Sequence, residues 1–200
     1  MPTKNNDLHG NAPENSPIAL LIIDVISDFG FPDGDKLLEN TKPIVENIVR
    51  LRRKADKAKI PVIYINDNFG KWQSDFKKLL KHASAKTSKG HAVANRLKPK
   101  AKDYFVLKPK HSGFYSTTLD LLLEYLNVKT LILTGLTADI CVLFTANDAY
   151  LRDFRIFVPR DCVAATEAEE KEKALKYIER VLDADTRPSS EIQFGKTGIK

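Results

Sequence analysis

Cysteine, methionine and tryptophan are all scarce in this chain of 200 residues, which contains two cysteines, one methionine and one tryptophan. Cys141 and Cys162 show no framework spacing, which argues against a scaffold held together by disulfides and favours a reducing compartment. No apolar run reaches the roughly 18–20 residues that a membrane span needs, and the polar first residues contain no signal-peptide core. We therefore expect a cytoplasmic protein that has no membrane partner.

Ligand patterns for metals and nucleic acids are also missing. The four histidines, His9, His82, His91 and His111, show no ligand spacing, so we expect no metal and no other cofactor. The net charge of +6 raises the possibility of a nucleic-acid partner. The positive residues are interspersed with acids, however, and no basic run is interleaved with stacking aromatics. The charge therefore predicts a solvated basic face and no nucleic-acid partner.

The length and composition are those of one globular domain. With 42% hydrophobic and 29% charged residues, the chain resembles an ordinary soluble protein. A domain of this size buries roughly 70% of the surface that its unfolded chain exposes, so it needs no disulfide or metal to fold. We predict a polar tail over residues 1–16, a single domain over 17–185 and a C-terminal extension of that domain over 186–200.

Short apolar runs alternate along the chain with longer segments of helical periodicity. The apolar runs predict strands at residues 18–24, 62–66, 103–108, 129–135 and 154–159, with one more near 191–194. The other segments predict helices at residues 40–59, 74–82, about 118–126, 139–152 and 166–182, the last with Thr166 and Glu169 as a capping box. This alternation predicts an α/β fold, a three-layer αβα sandwich with a mostly parallel sheet of five to six strands.

Three reactive side chains fall at the carboxyl ends of the predicted strands, where open α/β sheets bind their ligands. Asp24 ends the first strand, Lys108 ends the third, and Cys141 lies in the first turn of the helix after the fourth. A helix N-terminus lowers the pKa of a thiol, and its free N–H groups can bind an oxyanion. Each residue alone has a structural interpretation, as a helix cap, a surface lysine or a small buried side chain. Together they favour a nucleophilic site.

Aromatic residues near these strand ends are candidates for the wall of a substrate pocket. We predict substrate contacts from Asp67, Phe69, Trp72 and Phe114, and the family resemblance described below implies a fifth from Phe29, five residues after Asp24. For Trp72 a position in the core is an equally good interpretation. Cys162 has no evident chemical partner, so we interpret it as a structural residue.

Two stretches of the sequence resemble the isochorismatase-like cysteine hydrolase superfamily. LLIIDVISDF (20–29) is similar to the opening motif of that superfamily. Residues 107–165 resemble its second half, with a lysine before an S-G-F step, a T-x-L helix start, a strand that runs into G-x-x-x-x-x-C-V, and a closing D-x-x-A. The resemblance covers roughly residues 18–185, nearly the whole predicted domain.

The resemblance implies a catalytic triad of Asp24, Lys108 and Cys141. It also implies an oxyanion hole formed by the amides of Thr137 and Cys141, with a cis peptide bond at Leu136–Thr137. The implied reaction is nucleophilic acyl transfer, in which Asp24 takes the thiol proton and the thiolate attacks a small amide, ureido or carbamoyl compound to form a thioester. Members of the superfamily are often dimers or tetramers, so we expect a homodimer or homotetramer.

The sequence argues against two related or competing functions and leaves two others open. The nicotinamidase branch carries a D-x-H motif after the second strand, whereas Phe69 follows Asp67 and Asn68 here. The missing histidine argues against nicotinamidase activity and for a site without metal. Some isochorismatases cleave a vinyl ether without a cysteine nucleophile, so an ether hydrolase is an alternative, as is a catalytically idle scaffold or binding protein. A haloacid-dehalogenase phosphatase is disfavoured because Ile26 stands where a second acid is needed.

Overall fold

The computed structural model describes residues 15–70, 72, 75–195 and 198–199, so the predicted tail lies outside the described residues except for 15 and 16. The strands are β1 (Ile18–Ile23), β2 (Val62–Asp67), β3 (Tyr104–Lys108), β4 (Thr130–Leu136), β5 (Arg155–Phe157) and β6 (Val163–Ala164). The helices are α1 (Gly34–Lys57), α2 (Phe76–Ala83), α3 (His91–Arg96), α4 (Leu119–Leu126), α5 (Leu143–Tyr150) and α6 (Ala168–Leu182), and a π-helical segment (Ala138–Val142) precedes α5.

The six strands form one sheet in the order β3-β2-β1-β4-β5, and β6 pairs with the end of β4. Every strand pair is parallel. The chain builds outward from β1 through β2 to β3, and then returns to place β4 on the other side of β1. Strand order therefore reverses between β1 and β4, which is where open α/β sheets bind ligands. The predicted α/β architecture and strand number are confirmed.

Helices cover both faces of the sheet, and this explains why β1 is a continuous apolar run. Leu20 and Ile22 of β1 belong to a core that also contains residues of α1 and α3. Leu21 and Ile23 point into a second core, which contains residues of α4, α5 and α6. The three layers match the sequence-based expectation.

Helix α1 begins at Gly34, six residues before the predicted start. Asp33 at its N-cap adopts a left-handed backbone conformation with a φ of 62°. A Cβ on Gly34 would lie 2.2 Å from the carbonyl oxygen of Phe29, so only glycine fits where the helix meets this loop. The earlier start brings Leu37 next to Phe29, at the edge of the pocket described below.

Some local predictions are wrong. The capping box of Thr166 and Glu169 is not formed, because α6 begins at Ala168 with Glu167 as its N-cap and without a side-chain capping bond. Instead, the carbonyl oxygen of Thr166 accepts a hydrogen bond from Asn40. Among the described residues, the predicted strand near 191–194 is reduced to a single bridge between Phe194 and Ile199.

Within the described part of the chain, none of the helices has the length and apolar character of a membrane span.

Candidate active site

The ends of three adjacent strands, on one side of the reversal of strand order, carry the charged groups of the site. Asp24 follows β1 directly, and its N–H donates to the carbonyl oxygen of Ile65 at 2.8 Å. Asp67 and Lys108 end β2 and β3, and the register of these parallel strands pairs them as neighbours. Cys141 lies in the π-helical segment that follows β4. The topology thus brings four chemically active side chains to one edge of the sheet.

Lys108 lies at the centre of the cluster, with no exposed side-chain surface. Its Nζ is 2.9 Å from Oδ2 of Asp24 and 3.4 Å from Sγ of Cys141. The same nitrogen is 3.5 Å from Oδ2 of Asp67. The three residues predicted to form a triad are therefore in mutual contact around one buried ammonium group.

The carboxylate of Asp24 is held from several directions. Its Oδ1 accepts a hydrogen bond of 2.7 Å from the backbone N–H of Asp67. The carboxylate also interacts with the thiol of Cys141 through a hydrogen bond. Asp67 is fixed in turn, since its Oδ1 accepts from the backbone N–H of Phe69 at 2.6 Å. These contacts place a proton acceptor next to the thiol in a defined orientation.

Burial is the largest single influence on the pKa of Asp24, Lys108 and Cys141. Burial raises the pKa of Asp24 above its ordinary value, although the charge of Lys108 opposes the shift. Burial alone would lower the pKa of Lys108, but the carboxylate of Asp24, followed by Cys141 and Asp67, outweighs it and raises that pKa. For Cys141, burial and then the charge of Asp24 raise the pKa to about 12, against the opposing effect of Lys108.

The raised pKa of Cys141 corrects an expectation drawn from the sequence. A helix N-terminus lowers the pKa of a thiol, but burial has the largest effect on Cys141 and the Asp24 carboxylate adds to it, against the opposing effect of Lys108. The thiol is therefore protonated at neutral pH. Nucleophilic attack then requires that a base remove the thiol proton during the reaction, and Asp24 is positioned to accept it.

The segment that carries Cys141 is π-helical, whereas the sequence predicted a regular helix. Its bounding hydrogen bond joins the N–H of Val142 to the carbonyl oxygen of Thr137 at 3.0 Å. The peptide bond Leu136–Thr137 is cis, as predicted. Thr145 anchors the segment, because its hydroxyl donates to the carbonyl oxygen of Cys141 at 2.7 Å and accepts from the N–H of Gly113 at 3.0 Å. Single π-helical turns of this kind are frequent at functional sites.

Glycine is required where β4 approaches β1 beside the site. Gly135 has a φ of 106°, and a Cβ there would lie 2.0 Å from the carbonyl oxygen of Ile23. Its N–H donates to the carbonyl oxygen of Cys162 at 2.9 Å. The close approach sets the position of Asp24, one residue after Ile23, relative to the loop that leads to Cys141.

A cavity of about 350 Å³ opens beside Cys141 and Asp24, a size suited to a small ligand. Its walls are mainly apolar and aromatic, and these side chains are Phe29, Phe31, Leu37, Phe69, Leu136 and Ile140. Its polar lining comes from Asp24, Ser27, Asp67, Thr137, Cys141 and Thr166.

The structure places the predicted substrate contacts in two groups. Phe29, Asp67 and Phe69 line the cavity. Phe114 does not: it is buried in the core beneath, where its ring lies 6.0 Å from that of Phe154. The loop after β3 is tied to α5 through Gly113, which directs Phe114 into this core. Trp72 is 77% exposed and lies outside the residues that line the cavity.

Other lining residues were not identified from the sequence. Phe31 and Ile140 stand close in sequence to Phe29 and Cys141, and this proximity was a usable signal. Leu37 and Thr166 reach the cavity through the early start of α1 and the late start of α6, so they had no local signal. Cys162 is fully buried and outside the lining, which agrees with a structural role.

The donor set at the site does not fit a metal ion. Among the residues that the structure describes, no three His, Cys, Asp or Glu side chains are grouped as a metal site would need. Asp67 supplies one carboxylate, and Phe69 occupies the place where a second ligand would stand in a D-x-H motif.

Comparisons with known proteins match nearly the whole described domain. A family model for the isochorismatase domain matches residues 18–186. The uncharacterized isochorismatase family protein YaaI of Bacillus subtilis is 43% identical over 174 residues, which cover 87% of this chain and 95% of that protein.

Solved structures also match most of the chain. N-carbamoylsarcosine amidase from Thermoplasma acidophilum is 30% identical with a TM-score of 0.66, covering 90% of this chain and 100% of that one. Nicotinamidase PncA from Bacillus subtilis is 26% identical with a TM-score of 0.67, covering 86% of this chain and 99% of that one.

Proposed function

The chain belongs to the isochorismatase family, and from that premise we propose that it is a cysteine amidohydrolase that cleaves a C–N bond of a small amide, ureido or carbamoyl compound. The observation that carries the proposal is the contact of Lys108 Nζ with both Asp24 Oδ2 and Cys141 Sγ beside a small apolar cavity. A nucleophile, a proton acceptor and a fixed positive charge in contact are the parts that covalent acyl transfer requires.

In the proposed first half-reaction, Asp24 accepts the Sγ proton as the sulfur of Cys141 bonds to the substrate carbonyl carbon. Lys108 stabilises the negative charge that passes from Asp24 to the sulfur, because it contacts both groups. The backbone N–H groups of Thr137 and Cys141 would bind the oxyanion. Asp24 then returns the proton to the leaving nitrogen as the C–N bond breaks, which releases ammonia or an amine and leaves a thioester.

In the second half-reaction, a water molecule attacks the thioester carbonyl with Asp24 as the base. The C–S bond breaks, Asp24 returns the proton taken from water to the sulfur of Cys141, and the acid product leaves. One group, Asp24, thus acts first as base, then as acid and again as base, which is consistent with a carboxyl whose pKa is raised by burial.

The names of two relatives agree with this reaction class. N-carbamoylsarcosine amidase and nicotinamidase are both named for the cleavage of amide-type C–N bonds. The chain also departs from the nicotinamidase pattern at Phe69, so we do not carry over the substrate for which nicotinamidase is named.

A panel of small primary amides, ureido compounds and carbamoyl compounds, scored for ammonia release, tests the proposal. We expect release with at least one compound, and we expect Cys141→Ala to abolish it while the protein keeps its fold and melting temperature. Cys162→Ala is the matched control, because it removes the other thiol, which lies outside the cavity. Its rate should stay within a few-fold of the unmodified protein.

Two results would overturn the proposal. One is activity that persists in Cys141→Ala, since the sulfur would then not be the nucleophile. The other is an absence of ammonia release across the panel together with no acyl adduct on Cys141 by mass spectrometry, which would favour a catalytically idle scaffold.

A further inference from the structure

The charged residues described in the cavity lining are acidic, and this affects the charge of the ligand that can bind there. Although the chain has a net charge of +6, no Arg, Lys or His side chain is among the described residues that line the cavity. The lining includes two acids, Asp24 and Asp67. Among the residues that the structure describes, the lining therefore offers no cation to pair with an anionic ligand.

The cation that contacts Asp24 and Cys141, Lys108, is already engaged. Its side chain is fully buried, and its ammonium contacts Asp24, Asp67 and Cys141 within 3.5 Å. Asp24 and Asp67 together carry two negative charges against the one positive charge of Lys108. A ligand carboxylate would enter an excess of negative charge, and like charges brought together in this way oppose binding.

The walls make the imbalance more costly for an anion. Phe29, Phe31, Leu37, Leu136 and Ile140 offer carbon surface and no hydrogen-bond donor from their side chains. The hydroxyls of Ser27, Thr137 and Thr166 can donate hydrogen bonds, but they carry no charge. Moving a carboxylate from water against mainly apolar walls without a cation is unfavourable, whereas an uncharged apolar group gains from the same transfer.

We propose that this cavity selects substrates with an uncharged, apolar acyl group and rejects those whose acyl group carries a carboxylate. The inference rests on the proposed function and narrows it. Within the class of small amide, ureido and carbamoyl compounds, it excludes the carbamoyl and ureido acids and favours neutral amides with short aliphatic or aromatic acyl chains.

An isosteric pair of substrates provides the test. 4-Nitrobutanamide and glutaramate have the same chain length and a planar terminal group, but only glutaramate carries a negative charge. 3-Nitrobenzamide and 3-carboxybenzamide form the aromatic pair. We expect kcat/KM for each nitro compound to exceed that of its carboxylate partner by at least about 100-fold, which corresponds to two decades of discrimination.

A variant at the rim separates charge from shape. Ile140 lines the cavity and is 40% exposed, so a lysine there can present its ammonium to the ligand. We expect Ile140→Lys to reduce the nitro-to-carboxylate ratio at least about tenfold, through the added opposite charge. Ile140→Met is the matched control, with a similar unbranched stem and no charge, and its ratio should stay close to that of the unmodified protein.

The outcomes distinguish this inference from the proposed function. Hydrolysis of the carboxylate compounds as fast as the nitro compounds would overturn the inference and leave the amidohydrolase proposal intact. If no compound is hydrolysed, calorimetry with Cys141→Ala ranks binding of the same pairs without turnover. Tighter binding of the nitro compounds would support the inference although the proposed function had failed, and equal or tighter binding of the carboxylates would overturn it.

Discussion

The ammonium group of Lys108 lies 2.9 Å from the carboxylate of Asp24, where the lysine side chain has no exposed surface and that of Asp24 is 13% exposed. Burying such a pair removes both charged groups from water, and their mutual attraction offsets this desolvation cost. Removing one partner therefore leaves an uncompensated buried charge. The pair therefore has a structural role in addition to any role in chemistry. Stability and activity must be measured separately to tell the two apart.

Lys108→Met tests the structural role, because methionine keeps most of the stem and removes the charge. We expect a loss of about 3–5 kcal/mol in the free energy of unfolding, since Asp24 is then buried beside no cation. Asp24→Asn together with Lys108→Met removes both charges and should recover much of that loss of stability. Ammonia release should nevertheless be abolished in the double variant. Urea unfolding followed by circular dichroism gives the energies.

Lys42→Met is the control for this comparison. Lys42 pairs with Glu39 on the exposed face of α1, so its removal should change stability by no more than about 0.5 kcal/mol. A double variant no more stable than Lys108→Met would mean that charge imbalance is not the source of the loss.

Gly135→Ala should disrupt the junction between β1 and β4. The substitution adds a Cβ 2.0 Å from the carbonyl oxygen of Ile23, at a φ of 106° that other residues avoid. We expect destabilisation of about 3 kcal/mol or more, measured by urea unfolding. Gly70→Ala is the control, because Gly70 also has a positive φ but no atom within 4 Å of the added Cβ. Its cost should be limited to about 1 kcal/mol of backbone strain, and equal effects would contradict the steric explanation.

Much of the fold was predictable because its elements carry strong local signals. A strand such as β1, buried on both faces, is a continuous apolar run, and a helix such as α1 repeats its apolar residues with a helical period. Two elements of the fold, α3 and β6, were not predicted because they lack such a signal. Helix α3 has six residues and β6 has two, too few to show a period.

The same distinction applies to the residues of the site, since some have a local signal in the sequence and others do not. Asp24, Lys108 and Cys141 were found because each ends a strand or begins a helix, and parallel strands bring such ends together. The pocket wall was only partly found, since Leu37 and Thr166 depend on helix starts that propensity does not determine. The sign of the pKa shift at Cys141 was also missed, because burial is a property of the folded chain that its local sequence does not carry.

Chelation should leave ammonia release unchanged. Asp67 stands alone as a carboxylate donor where a D-x-H motif would add a histidine, and Phe69 cannot bind a metal ion through its side chain. Activity is measured before and after prolonged treatment with EDTA followed by desalting. Loss of activity that zinc, iron or manganese restores would show that the reaction depends on a metal.

The thiol of Cys141 and the carboxylate of Asp24 compete for one proton beside the fixed charge of Lys108. Burial and the charge of Asp24 both raise the pKa of Cys141, to about 12, while Lys108 lowers it. In the unmodified protein, alkylation of Cys141 by iodoacetamide should be slow at neutral pH and should keep rising well into the alkaline range.

Asp24→Asn should make the thiol more reactive toward an alkylating agent while it abolishes hydrolysis. The substitution removes the negative charge that raises the pKa of Cys141 and keeps Lys108, which lowers it, so the thiolate should form at lower pH. The alkylation rate, measured by mass spectrometry across a pH series, should therefore rise at lower pH than in the unmodified protein. Hydrolysis should nevertheless fall by several orders of magnitude, because asparagine cannot accept the thiol proton or deliver it to the leaving nitrogen. Cys162 provides an internal control, since it is fully buried and should stay unlabelled in both proteins. An alkylation profile that does not move, or that moves to higher pH, would show that Asp24 does not control the protonation of Cys141 and would remove it from the role of base.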